Sequence, residues 1–333
     1  MNLKSSSKFL GIGVSVVTLL VFTIIYGPGN LYRTFVSLPP YFLLFFLAAL
    51  SFHILSFVFW SLRIVVLARA NGFKISFPRA FIVVMSSLFA ASITPGYVGG
   101  EPIRIKKLND YGVPVGNATA IALGERGFDS IFFVIIFAFV ILSGLEILTG
   151  QLRLYAIVGI VVLVIFLTFL LLSMGAHTMM KRTMGWIERV VKRFERKGKN
   201  YEQALPKIFE HVEAYSSSTR QIFLKNPVVL TAGIAITSLL WLSDFSVPTI
   251  LLIGFGVSPN IIYVIFIQVI LVLVSLIPLT PSSAGIMEVL MIATFSIFLP
   301  HSSLIAFVIV WRFITFYFNL AIGSLGFHKI VAK

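Results

Sequence analysis

Six stretches of the chain, at roughly 9–26, 41–62, 115–145, 154–174, 228–252 and 303–325, are apolar over a length close to the about 20 residues that cross a hydrocarbon core as a helix. No other feature constrains the fold as tightly. In lipid every backbone polar group must be satisfied within the protein, and helices achieve this segment by segment. The composition agrees: 58% of residues are hydrophobic and 11% charged, against about 25% charged in soluble domains. The expected fold class is an all-α polytopic membrane protein. Basic residues outnumber acidic ones by 26 to 12, a net charge of +14. In a membrane protein this excess marks cytoplasmic loops and contact with anionic lipid at that face. The chain offers no basic, aromatic-interleaved soluble module, so nucleic acid is not an expected partner.

The absence of cysteine excludes disulfides, a thiolate nucleophile and a cysteine metal site. The five histidines (His53, His177, His211, His301 and His328) have no ligand spacing, so no metal or other cofactor is expected. Lys4 and Lys8 precede the run at 9–26, as in a signal peptide. However, that run is long for one, and Gly27-Pro28-Gly29-Asn30 reads as a turn rather than a small-residue cleavage site. The expectation is a retained first transmembrane helix.

Two further apolar regions, at about 80–110 and 260–299, are interrupted by similar motifs. The first is Thr94-Pro95-Gly96-Tyr97-Val98-Gly99-Gly100-Glu101, and the second runs from Thr280-Pro281-Ser282-Ser283 through Gly285 to Glu288. Both read T-P-x-x-x-G with a carboxylate soon after. Broken backbone at membrane depth is tolerated only where protein or a cavity surrounds it. Paired breaks in corresponding places of two halves point to a transporter's substrate site. The stretch 176–227 differs, holding eleven basic residues and five glutamates. Its apolar residues recur at helical spacing (Met184, Ile187, Val190, Val191; then Leu205, Ile208, Phe209, Val212), which predicts two amphipathic helices on the membrane surface or docked on the bundle.

Charge parity then orients the chain. If 80–93 crossed fully, the eleven-cation stretch would lie outside, against the positive-inside rule. At 1.5 Å per residue those residues also span only ~21 Å. The region 80–110 is therefore read as a re-entrant hairpin on the cytoplasmic side, with both termini cytoplasmic in a multi-pass cell-membrane protein. Only Arg33 and Arg153 then fall outside, and Arg312 lies within the last helix. Parity leaves 260–299 open between a hairpin and two spans. The element order decides it: residues 1–150 and 151–333 read as two halves of inverted topology, with 260–299 as an external hairpin.

At each break a new helix should start near mid-membrane. Gly99 and Gly100 permit close approach, and Pro102 suits a first helical turn. Ser282, Ser283 and Gly285 supply small, hydrogen-bonding entry residues. Helix N-termini aimed at the site favour an anion, and Arg104, less than one turn in, adds donors for phosphate. The same residues could be a plain structural bend. Glu101 and Glu288 suit helix capping, a proton site or a substrate amine. Glu125-Arg126-Gly127-Phe128-Asp129 places Glu125 and Asp129 on one helix face, as an interfacial anchor or a gate with Arg104. Asp244 and Arg312 are lone intramembrane charges, which pair with each other or contact a head group. No P-loop, dinucleotide fingerprint, HExxH or nucleophile elbow occurs.

The segments T-P-G-Y-V-G-G-E-P-I-R (94–104), G-E-R-G-F-D (124–129), P-L-T-P-S-S-A-G-I-M-E (278–288) and W-R-F-I-T-F-Y (311–317) resemble the lysylphosphatidylglycerol synthase transmembrane, or flippase-like, family. The resemblance covers nearly the whole chain and implies lipid movement across the bilayer. The lipids implied are aminoacylated phospholipid or polyprenyl-linked lipid. It places Glu101, Arg104, Glu125, Arg126, Asp129, Glu288 and Arg312 at family motif positions. The second motif departs from the family's usual P-G-G-x-G, with Ser282 and Ser283 in the glycine positions. The break at Pro281 is therefore expected to contribute less to substrate binding. The soluble transferase domain of the family's synthases has no counterpart here, so the word synthase does not carry over. The leading expectation is a flippase for a phosphate-bearing lipid, a phospholipid or a polyprenyl-phosphate-linked one. Two alternatives stand beside it: an intramembrane head-group transferase with Glu101 or Asp129 as base, and an ion-coupled transporter of a small polar solute. A homo-oligomer is left open.

Overall fold

The structure is a computed structural model that describes residues 27–94, 97, 99–142, 201–275, 283 and 285–331, with isolated positions at 17, 20, 21, 24, 161, 164 and 168. The expected helices at 9–26 and 154–174 and the first amphipathic helix of 176–227 fall essentially outside these residues, as does Ser282.

All regular structure among the described residues is helical. The turn at Gly27, with φ of 88°, does not end in a loop; Pro28 opens a short helix, α1 (Pro28–Val36). Proline suits this position because its missing N–H has no helical partner there. α2 (Phe42–Ala70) runs eight residues past the apolar stretch that announces it. α3 (Phe77–Ser92) and α4 (Gly100–Asp110) are the arms of the first break. α5 (Val115–Leu142) carries the Glu125–Asp129 cluster. α6 (Tyr201–Arg220) is the second expected amphipathic helix, and it docks on α5, where Asn117 Nδ2 donates to Ser218 Oγ at 2.7 Å. A π-helical turn, Gln221–Lys225, leads to α7 (Pro227–Gly254), whose start is capped by Asn226 Oδ1 accepting from the Val229 amide at 3.2 Å. α8 (Ile261–Ser275) and α9 (Ile286–Phe295) flank the second break. α10 (His301–Arg312), a π-helical turn at Phe313–Tyr317 and α11 (Phe318–Val331) form one continuous helix.

By length and composition, Phe42–Ala70, Pro227–Gly254 and Ser302–Ser324 can each cross a membrane. α2 and α7 pack against each other more extensively than any other pair. Around this axis the contacts are reciprocal. The first break's α3 lies against α11, and the second break's α8 lies against α5; α4 touches α5 as α9 touches α10. Lipid is as apolar as leucine, so helices in it associate through close packing rather than a hydrophobic drive. The α3–α11 contact relies on such packing: a Cβ on Gly323 would stand 2.9 Å from the Phe89 backbone nitrogen and 3.0 Å from the Met85 carbonyl oxygen. One apolar core lies under α9 and α10 and takes in Ala49 of α2. A second lies under α2 to α5 and takes in Ile222 and Val229.

The two breaks share a backbone signature. Among the described residues, the non-glycine positions with positive φ are Tyr97 (59°) and Ser283 (52°). Each stands three residues after the threonine of its T-P motif. L-residues enter this region reluctantly, so the two positions stand out as alike.

Candidate functional site

The glycines of the first break serve the chain before any ligand. The Gly99 amide donates to Thr94 Oγ1 at 2.9 Å, and the Gly100 amide donates to the Tyr97 carbonyl at 3.2 Å. A Cβ on Gly99 would stand 2.6 Å from Thr94 Cγ2 and 2.9 Å from the Ala90 carbonyl oxygen. α4 begins at Gly100, so Arg104 is its fifth residue, just over one turn in. At the second break Ser283 is buried and donates through Oγ to the Ser275 carbonyl at 3.0 Å. The Gly285 amide donates to Glu288 Oε2 at 2.7 Å. Exposed amides at both helix starts were expected to receive an anion. In the structure these first amides already have protein acceptors, and Glu288 fills that role at α9 itself.

Side chains supply the charge. Glu125, fully buried, accepts from Arg63 Nε at 3.2 Å through Oε1 and from Arg104 Nη1 at 3.0 Å through Oε2. Arg63 Nη1 also donates to Asp129 Oδ1 at 2.6 Å and to Thr237 Oγ1 at 2.9 Å. Asp129 Oδ1 accepts from Trp241 Nε1 at 2.9 Å. Arg126 donates to Glu101 Oε1 through Nε at 2.9 Å and through Nη2, and its Nη1 lies 3.5 Å from Asp129 Oδ2. Three arginines and three carboxylates thus join α2, α4, α5 and α7. The i, i+4 spacing of Glu125 and Asp129 is used as the sequence implies: both reach Arg63 from one face of α5.

A second group lies on the other side. Arg312 Nε donates to Glu288 Oε1 at 2.6 Å, and Arg312 also bonds the Tyr97 hydroxyl from the tip of the first break. Asp244 pairs with His53, with Oδ1 2.7 Å from Nδ1. Of the two roles open to Asp244 and Arg312, pairing with each other does not occur; each has a different partner. Glu288, in the first turn of α9, reaches Arg312 because α9 packs against α10, and Asp244 pairs with His53 of α2 across the central contact.

Both groups open on one cavity of about 210 Å³. Among the expected site residues, Gly100, Arg104, Arg126, Asp129 and Arg312 line it. Glu101, Glu125 and Glu288 sit behind these and hold the arginines; Gly99 and Ser283 support the backbone turns. His53, Trp60, Arg63, Tyr97, Trp241 and Gln268 also line the cavity, and sequence reasoning singled out none of them as a ligand. Arg63 falls one residue past the apolar run at 41–62, which made it read as a loop cation. Its place on α2, two per cent exposed, shows that the helix continues beyond that run. Extending the helical period past residue 62 would have exposed Arg63 as an intramembrane charge.

Among the described residues, four buried side-chain nitrogens of cavity-lining residues have no hydrogen-bond partner: Trp60 Nε1, Arg104 Nε, Gln268 Nε2 and Arg312 Nη2. The indole and guanidinium nitrogens can only donate. Arg104 lies over the Trp60 ring, 4.7 Å from its centroid, so the two unpartnered donors are neighbours. The cavity wall therefore has unmet demand for an acceptor.

The model of the family described as lysylphosphatidylglycerol synthase TM region matches residues 9–323. A UPF0104 membrane protein of Archaeoglobus fulgidus is 32% identical over 329 residues, 97% of each chain. A UPF0104 membrane protein of Methanothermobacter thermautotrophicus is 27% identical over 93% of this chain and 91% of its own. With the apolar helices and the buried charge cluster at its centre, the chain is an integral membrane protein and belongs to the lysylphosphatidylglycerol synthase transmembrane-region family.

Proposed function

We propose that this protein is a flippase for a phosphate-bearing membrane lipid, a phospholipid or a polyprenyl-phosphate-linked one. The observation that carries the reading is the set of unpartnered donors on the cavity wall, Trp60 Nε1, Arg104 Nε and Arg312 Nη2. A buried donor without a partner costs about 1–3 kcal/mol. Phosphate oxygens would remove that cost, and two of the donors are guanidinium groups, whose bonds to phosphate are among the strong ones. At about 210 Å³ the cavity is smaller than the ~300–1,000 Å³ pockets that enclose a drug-sized ligand. It accommodates a head group while the tails stay in lipid. The carboxylates that a transferase would use as base, Glu101 and Asp129, both accept from arginines, which favours transport over that chemistry.

Movement is assigned to two halves of inverted topology, 1–150 and 151–333, each with a re-entrant hairpin, at 80–110 facing the cytoplasm and at 260–299 facing outside. Three observations support this. α3, with 16 residues, extends ~24 Å at 1.5 Å per residue, short of the ~30 Å core. The positive-φ residues Tyr97 and Ser283 share a register. The ion pairs Glu101–Arg126 and Glu288–Arg312 are counterparts: each joins the start of a post-break helix to the twelfth residue of the next helix. Rocking of such halves exposes a central site to each side in turn. Both termini then lie in the cytoplasm of a cell-membrane protein, with anionic lipid at that face.

The test is reconstitution in proteoliposomes with head-group-labelled phospholipids and polyprenyl phosphates. The expected result is translocation faster than in empty vesicles. Trp60→Phe keeps the ring under Arg104 and deletes one donor. At about 1.5 kcal/mol or more for a bond to a charged acceptor, it slows translocation ~10-fold without lowering thermal stability. No acceleration with any phosphate-bearing lipid, or an unchanged rate in Trp60→Phe, overturns this reading.

A further inference from the structure

We infer that His53 and Asp244 form a proton-binding site whose loading accompanies head-group binding, so that transport is coupled to a proton gradient; this rests on the transport reading above. The geometry fixes the proton count. Asn319 Nδ2 donates to the Thr315 carbonyl at 2.6 Å; a flipped amide would set two acceptors against each other there. Asn319 Oδ1 therefore faces His53 Nε2 at 2.9 Å and requires a proton on that nitrogen. The other ring nitrogen, Nδ1, lies 2.7 Å from Asp244 Oδ1. One proton must lie between them, on imidazole or carboxyl. Without it a lone pair and a carboxylate oxygen would be opposed at that distance. Loading takes one H⁺ from water and release returns it, with no other bond made or broken.

The charges around the cavity point the same way. On α2 the pair has Arg63 as its neighbour. Across the cavity Arg104 of α4 and Arg126 and Asp129 of α5 line the wall, with Glu101 and Glu125 paired behind the arginines. From the second half Arg312 on α10 lines it beside the Tyr97 phenol, with Glu288 of α9 paired behind Arg312. α3, α8 and α11 add Ser87, Gln268 and Asn319, which are uncharged. Among the described residues the site thus holds five carboxylates and four arginines, counting Asp244. The shared proton of His53 and Asp244 closes the balance at zero. Once it leaves, the cavity carries a net negative charge and repels phosphate. In low dielectric such a difference is strongly felt, so proton and anionic head group bind together.

The position suits coupling. His53 is on α2 and Asp244 on α7, the central contact between the halves. The Asp244 side chain is 27% exposed against 5% for His53, so the proton has access from the cavity through the carboxyl. Four residues on, Pro248 lacks the N–H that would bond the Asp244 carbonyl, which loosens α7 at this turn.

Two readouts test the inference. In the purified full chain, infrared and ¹⁵N nuclear magnetic resonance spectra are followed over about pH 4–10, which spans carboxyl and imidazole titration. Dihexanoyl phosphatidate serves as the head-group probe. A protonated carboxyl or a doubly protonated imidazole, lost in Asp244→Asn or His53→Gln respectively, is expected, and binding of the probe takes up protons. Absence of both species, or probe binding without proton uptake, overturns the inference. In proteoliposomes an imposed pH difference is expected to speed labelled-lipid movement severalfold, with matching proton flux. Asp244→Asn, a fixed mimic of the loaded state, is expected to lose the response to the imposed gradient. Lipid movement that ignores the gradient overturns the inference and leaves the flippase reading standing. No lipid movement alongside a probe-sensitive proton overturns the flippase reading and supports the proton site.

Discussion

Glu125 accepts from two arginines, Arg63 and Arg104. Among the described residues Arg104 has no other carboxylate bond, while Arg63 keeps Asp129. Breaking a buried ion pair by removing one partner typically costs about 3–5 kcal/mol, because the remaining charge stays buried. Glu125→Gln is therefore expected to lower stability by about 3–5 kcal/mol, read as a fall in the unfolding midpoint in detergent. A midpoint unchanged from the parent chain would mean that water or lipid reaches Arg104 and screens it. This glutamate, Asp129 and Arg104 were legible as site residues because charges inside apolar runs stand out. Their pairing was not legible. Arg126 is adjacent to Glu125 in sequence yet bonds Glu101, 25 residues earlier. Neighbours at i, i+1 point about 100° apart on a helix, so adjacency carries no contact information.

At the level of elements, apolar runs and Pro-Gly breaks gave the helix order, since both signals are local. Helix ends were less legible. α2 continues to Ala70 because Arg63 and Arg69 are helix-compatible, and hydropathy alone stops at the first charge. The π turn at Phe313–Tyr317 had no sequence signal; it follows Arg312 directly and sits beside cavity-lining Thr315. π-bulges often mark functional positions. The close contact of α3 with α11 is equally silent in sequence, since Gly323 reads as one more small residue in a membrane helix. Its role is testable. Gly323→Ala places a methyl against the backbone of α3, which cannot move aside as a side chain can. Overpacking of this kind costs about 1–3 kcal/mol, and the first break loses its support. The expected readout is a lower unfolding midpoint together with faster hydrogen exchange in α3. Wild-type stability would show that α11 shifts freely along α3.

For the molecule as a whole, the two breaks share a positive-φ position and an ion pair to the following helix, although the sequences around them differ at most positions. The correspondence was readable only at the breaks, where backbone geometry restricts residue choice. Elsewhere lipid-facing positions accept any apolar residue, so sequence carries no such signal. The opposite orientation proposed for the two halves has a direct consequence for accessibility. A re-entrant hairpin returns the chain to the side it left, so positions before α3 and after α4 must face one solution. Positions before α8 and after α9 must face the other. The chain has no cysteine, so single cysteines can be introduced without first removing native ones. Lys74 and Asn109 are exposed on either side of the first hairpin, as are Ser258 and Ser302 around the second. Cysteines at 258 and 302 are expected to react with a membrane-impermeant maleimide in intact cells, and cysteines at 74 and 109 only after permeabilisation. If 74 and 109 fell on opposite sides, α3 would have crossed the membrane, and the eleven-cation stretch at 176–227 would face outside. The inverted arrangement would then fail, and with it the rocking motion assigned to the two halves.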